Sequence, residues 1–257
     1  MNYAGFFFVI LLSNIIQGIT GFAGTILAMP PSLMLVGYNT AKPVLNVLGL
    51  LSGIYIYAGN RKYVCWSEFR KIVAVMAVGI VEGIFLKTLF VGREQLLYRL
   101  LGAFVIFLSM QGLVKLQGGT KALRYEKETE AAGNTLKRQK TSLALYLLLG
   151  LAGIIHGIFV SGGPLVVGYL SRRLKDKVNF RATISTIWVM LNTIIFLYDI
   201  HSGLWNMDLI RIQIISVPFL LTGMFLGSRL YVKMSQRLFM IITYVLLLIS
   251  GISLVIK

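Results

Sequence analysis

Ile15-Ile16-Gln17-Gly18-Ile19 runs straight into the glycine cluster Thr20-Gly21-Phe22-Ala23-Gly24-Thr25. The event recurs 139 positions later, where Ile154-Ile155-His156-Gly157-Ile158 runs into Phe159-Val160-Ser161-Gly162-Gly163-Pro164. The same offset pairs Lys42 with Arg181, Asn46 with Ser185 and Trp66 with Trp205, and an offset of 140 sets Gly83-Ile84-Phe85-Leu86 beside Gly223-Met224-Phe225-Leu226. Interrupted apolar segments in corresponding places of two halves are the mark of a duplicated secondary transporter. Matches kept in order along the chain argue for duplication where five letters alone do not.

The rest of the composition agrees. Hydrophobic residues make up 57% of the 257 positions and mean hydropathy is +0.80, above a soluble domain's roughly half-apolar content. Apolar runs cover 5–36, 43–58, 72–91, 96–114, 143–170, 182–200, 209–227 and 238–256. Most approach the ~20 residues that cross a ~30 Å hydrocarbon core. The expected fold is therefore an all-α integral membrane protein of two homologous four-run repeats, each opening with a glycine-broken helical hairpin. The first repeat is 1–116, a polar cytoplasmic linker is 117–142, and the second repeat is 143–257. No lysine or arginine precedes the first run and no small-x-small site follows it, so it is not read as a signal peptide.

The net charge of +16 invites a nucleic-acid reading. The cations, however, sit almost entirely between apolar runs, as in cytoplasmic loops, and lack the interleaved aromatics that stack bases. Nucleic acid is excluded as a partner. The lone Cys65 rules out an internal disulfide or a cysteine-built metal site. Two histidines do not make the common metal sites, and no serine has a base nearby in spacing, so neither a cofactor nor an enzymatic activity is expected.

Lysine and arginine also set the topology. Eight single crossings divide the 25 cations 13 to 12, which carries no orientation signal. If the first run of each copy instead enters and returns on one side, the division becomes 19 inside to 6 outside. That obeys the positive-inside rule. It makes the repeats inverted, with both termini outside. Such broken hairpins must lie in the interior, because unpaired backbone is tolerated at membrane depth only against protein or a water-filled cavity.

At each break a second helix begins. Ser161-Gly162-Gly163-Pro164 reads as a capping residue, two permissive glycines and a proline suited to the first helical position, and Gly24-Thr25 is the counterpart. Helix starts carry about half a positive charge, and glycine admits a ligand close to the backbone. Two starts aimed at one cavity bind an anion without a buried arginine; their alternative role is close helix packing. The candidate substrate-binding residues are Gln17, Thr20, Gly21, Gly24, Thr25, Asn46, His156, Ser161, Gly162, Gly163, Ser185, Thr186 and Asn192. Glu82, the one carboxylate deep in an apolar run, and His156 are the coupling candidates, with a Glu82–Lys87 pair as the structural alternative. Lys42 and Arg181 read as interfacial charges, Asp199 as ordinary solvated charge at a helix end, and Trp66 and Trp205 as interfacial anchors.

Gln17-Gly18-Ile19-Thr20-Gly21-Phe22-Ala23-Gly24 with Ala28-Met29-Pro30 resembles the first-copy motif of the sulfite exporter TauE/SafE family. His156-Gly157 through Pro164 is similar to its second-copy motif, and Arg181-Ala182-Thr183-Ile184-Ser185-Thr186 to the stretch that follows. Ala23 stands where the family commonly has glycine. The resemblance covers nearly the whole chain and implies a multi-pass carrier in the bacterial inner membrane for sulfite or organosulfonate anions, often exporting them. Its expected partners are a small anionic substrate and the lipid bilayer, with room for a homodimer. The alternatives are an uptake carrier for another small solute and a membrane scaffold or assembly protein.

Overall fold

The computed structural model describes residues 2–86, parts of 99–114, and 143–160, 162–174 and 176–256. The expected linker, 117–142, lies outside the described residues, as do Lys87 and Ser161. The described chain is helical throughout. Asn2 caps α1 (Tyr3–Thr20) by accepting from the Gly5 N–H. The helix ends where Gly21 turns left-handed at φ 82° and its N–H closes on Gln17 O. The Thr20 hydroxyl then accepts from the N–H groups of Phe22 and Ala23 and starts α2 (Ala23–Val36). The Asn2 N–H donates to Leu35 O at 3.1 Å, so the end of α2 returns to the beginning of α1.

α3 (Tyr38–Asn60) and α4 (Trp66–Leu86) follow, then α5 (Leu143–Phe159) and α6 (Gly163–Arg173). Val160 occupies the second break at φ 54°, where Gly21 stands 139 positions earlier. A β-branched residue is rare in that region of backbone space, so this break is held under strain. Asp176 caps α7 (Lys177–His201) and Asn206 caps α8 (Met207–Lys233), with α9 (Gln236–Ile256) last.

α1 packs along α8, α4 along α5, and α3 along α7. Glycines set the first two contacts. A Cβ on Gly79 would stand 2.5 Å from Gly150 O, and one on Gly83 would strike Ile154 O; likewise Gly223 lies against Leu11 O and Gly227 against Ile15 O. Small residues four apart bring helices to backbone contact where there is no hydrophobic drive to associate. Among the described residues four segments are long and apolar enough to cross a membrane: Tyr3–Thr20, Tyr38–Tyr63, Lys177–His201 and Met207–Lys233. Large apolar side chains such as Val78, Phe85, Leu147, Ile214 and Val232 face outward, a surface suited to hydrocarbon. α6, by contrast, is buried from Gly163 to Leu170 apart from a partly open Gly168.

Candidate functional site

The two breaks are closed in parallel ways. In the first, Gln17 Oε1 accepts from the Gly24 N–H at 2.8 Å, and its Nε2 donates to Ser52 Oγ at 3.2 Å. In the second, the Gly162 N–H points to His156 Nδ1 at 3.4 Å, while Nε2 meets Asn192 Oδ1 at 2.9 Å. An amide N–H can only donate, so Nδ1 is the acceptor and the ring proton sits on Nε2. Each break thus has a polar side chain from the incoming helix lying over the start of the outgoing one. The Gly24 N–H is taken by Gln17 rather than left open, which differs from the expectation of bare donors.

The breaks approach each other. Phe22 lies beside Gly163, whose Cβ position is 3.6 Å from Phe22 Cδ2. Between them is a narrow cavity lined by Gln17, Thr25 and Gly49 on one side and His156, Gly163, Trp188 and Asn192 on the other. Its volume of about 10 Å³ is room for about one water. Toward the start of α3 and the end of α7 a vestibule of about 250 Å³ opens between Tyr38, Asn39, Lys42, Gly157, Asp199 and Ser202.

The predicted residues divide. Gln17, Thr25, His156, Gly163 and Asn192 border the cavity, and Gly24 borders a small adjoining pocket with Ser13, Asn14 and Ser52. Thr20, Gly21 and Gly162 shape the breaks without lining the cavity. Thr186 donates back to Ala182 O, Ser185 reaches Gly21 O at 3.4 Å, and Asn46 Nδ2 donates to Asn192 O at 3.1 Å. The Ser185 and Asn46 bonds tie elements together behind the cavity wall, while the Thr186 bond stays within α7. Ser161 lies outside the described residues. Of the two coupling candidates only His156 touches the cavity; Glu82 is exposed on the outer side of α4, and its proposed partner Lys87 is not described.

Three charges depart from their expected places. Arg181, 4% exposed, is not interfacial. It donates to Gly18 O through Nε at 3.0 Å and Nη2 at 2.5 Å, and to Ser228 Oγ at 2.9 Å, with Tyr231 stacked 4.3 Å from the guanidinium carbon. Gly18 O belongs to the last turn of α1, where carbonyls lack intrahelical partners and attract a cation. Lys42 and Asp199, 5% and 2% exposed, form an ion pair of 2.5 Å at the vestibule floor rather than two solvated charges. Trp66 is 47% exposed, whereas Trp205 packs edge-on against Phe196.

Trp188 and Ser52 were missed. A stripe could have found the first: Arg181, Ser185, Trp188 and Asn192 recur at spacings of four, three and four, one face of a helix. Lys42, Asn46, Gly49 and Gly53 repeat that spacing on α3.

A lipid-type surface, membrane-length helices and two broken helices meeting at a polar cavity define a multi-pass membrane protein. The chain belongs to the sulfite exporter TauE/SafE family, a model of which matches residues 6–254. It is also similar to a protein of Comamonas testosteroni described as a probable inner membrane transporter protein, TsaS. The two are 26% identical over 196 residues, 76% of this chain and 74% of the relative. No solved structure matches it.

Proposed function

We propose that this protein is a secondary carrier of small sulfur oxyanions, of the sulfite or organosulfonate type, that moves them outward across the bacterial inner membrane. The observation that carries the reading is the meeting of both helix breaks at one cavity. Family membership and the relative's description point to a membrane carrier, and two helix starts meeting at one small cavity support a small anionic substrate. Each helix start contributes ~0.3–1 kcal/mol to a nearby anion, rising to ~2 kcal/mol when partly buried. Hydrogen bonds to a charged oxygen add ~1.5–3 kcal/mol each. Thr25, Asn192 and the start of α6 line the cavity, which supports their making such bonds. The cavity as described is too small for any such anion, so binding requires α2 and α6 to separate.

The inverted arrangement belongs to the same proposal. What supports it is an exchange of partners: α1 packs on α8 as α5 packs on α4, and α3 packs on α7. The contacts also shift one alignment. Residues 15 and 154 correspond at the 139 offset, Gly227 meets Ile15 O, and Gly83 meets Ile154 O. Gly83 therefore corresponds to Gly227, at an offset of 144, one helical turn beyond the match to Gly223 that letters alone suggest.

Purified protein in liposomes loaded with sulfite or methanesulfonate tests the reading. Saturable efflux of either, inhibited by the other, is the expected result. A tightly sealed, protein-containing vesicle that releases neither anion faster than a protein-free one overturns it and favours the scaffold alternative.

A further inference from the structure

Trp188 is 4% exposed, and among the described residues its indole N–H has no hydrogen-bond partner. Buried donors in folded proteins are nearly always satisfied, so an orphan in a cavity wall calls for a reason. The indole edge that carries Nε1 faces the break: Cζ2, two bonds from Nε1, lies 3.8 Å from the Cβ position of Gly163 at the start of α6. The ring is held in place by His156, stacked 5.0 Å away at 30°. His156 is itself fixed between Gly162 and Asn192.

We infer that the Trp188 N–H is a substrate hydrogen-bond donor, which binds an unprotonated oxygen of a small oxyanion in the cavity beside the start of α6. The inference rests on the proposal that this cavity is the transport site, and adds a residue and a selection rule to it. An indole nitrogen donates and never accepts, so it serves a ligand with a bare acceptor oxygen and nothing else. His156 is engaged at both ring nitrogens, by the Gly162 N–H and by Asn192 Oδ1, whereas the Trp188 N–H is open to a ligand. A donor built to pair with an oxygen discriminates strongly against analogues that lack one. In the first copy the corresponding position is Gly49, which also lines the cavity. The donor therefore belongs to one side of the site only and fixes the orientation of the bound anion.

Two measurements on the full chain test this. In liposomes, sulfite efflux is compared for the wild type, Trp188→Phe, and a variant with β-(3-benzothienyl)alanine at 188, whose sulfur replaces the N–H while keeping the ring shape. The expected result is a KM raised at least tenfold (~1.4 kcal/mol) in both, with unchanged helix content and gel-filtration profile. In detergent, Trp66→Phe with Trp205→Phe leaves Trp188 as the reporter among three tryptophans, and its emission should shift on adding methanesulfonate. A benzothienyl variant with KM within twofold of wild type overturns the inference and leaves the carrier reading standing. An emission shift without flux keeps the donor and overturns the carrier. Neither shift nor flux overturns both.

Discussion

Gln17 Oε1 holds the Gly24 N–H at 2.8 Å, so the last turn of α1 and the first turn of α2 are joined by a side chain across the glycine break. Substitution separates this cap from anion binding. Gln17→Leu leaves a buried donor unpaired, at about 1–3 kcal/mol, and should lower the thermal midpoint of the solubilised protein. Gln17→Glu keeps an acceptor at the positive end of α2, so the fold should survive while the added negative charge suppresses anion flux. Equal midpoints for wild type and the Leu variant would show that the bond does not hold the break.

Arg181 acts on the same break from the other half of the chain, through Gly18 O. A fork of two bonds to one carbonyl and a third to Ser228 is beyond a lysine's point charge. Arg181→Ala and Arg181→Lys should both reduce the yield of folded protein and its midpoint. Flux through the protein that survives should keep a KM within about tenfold of wild type (~1.4 kcal/mol). Normal stability with binding abolished would reassign the guanidinium to the substrate.

Gly83 and Gly227 carry the backbone contacts between α4 and α5 and between α8 and α1. Gly83→Ala or Gly227→Ala drives a methyl into a carbonyl oxygen and should cost assembly, read as loss of monodisperse protein on gel filtration. Gly150→Ala is the control, because nothing lies within 4 Å of its Cβ position. A Gly83→Ala protein that behaves like the Gly150→Ala one would remove the contact from the account of packing.

The breaks, the glycines and the family were legible because a repeated letter pattern reports them. Burial of charge was not. Lys42, Arg181 and Asp199 stand at run ends in the sequence, where solvation is the ordinary expectation, and only the three-dimensional pairing of α7 with α3, α1 and α8 brings each its counter-group. Trp188 escaped for a different reason: indoles were weighed as interfacial anchors, and a single tryptophan within an apolar run says nothing of where its N–H points. Outward-facing Glu82 shows the reverse error, since depth along a run does not tell which face of the helix a residue occupies.

The Lys42–Asp199 ion pair carries the last prediction, which concerns topology. Lys42 lies in the second turn of α3 and Asp199 two residues from the end of α7, and 2.5 Å separates them. The start of one helix therefore sits beside the end of the other. Eight single crossings would run both helices in the same direction and put these ends on opposite faces of the membrane. Two returning hairpins run them in opposite directions and put both ends on one face, the face that collects 6 of the 25 cations and so lies outside. Asn39 and Ser202 are exposed at that vestibule, and Arg61 is exposed at the far end of α3. With Cys65→Ser as background, Asn39→Cys and Ser202→Cys should react with an impermeant thiol reagent applied to intact cells, and Arg61→Cys should react only after the membrane is opened. Breaking the pair should matter to the same end of the molecule. Asp199→Leu takes the carboxylate from a buried lysine, at about 3–5 kcal/mol, and Lys42→Met with Asp199→Leu together should recover much of that loss in midpoint. Labelling of position 61 from outside, or of 39 and 202 from opposite sides, would overturn the arrangement.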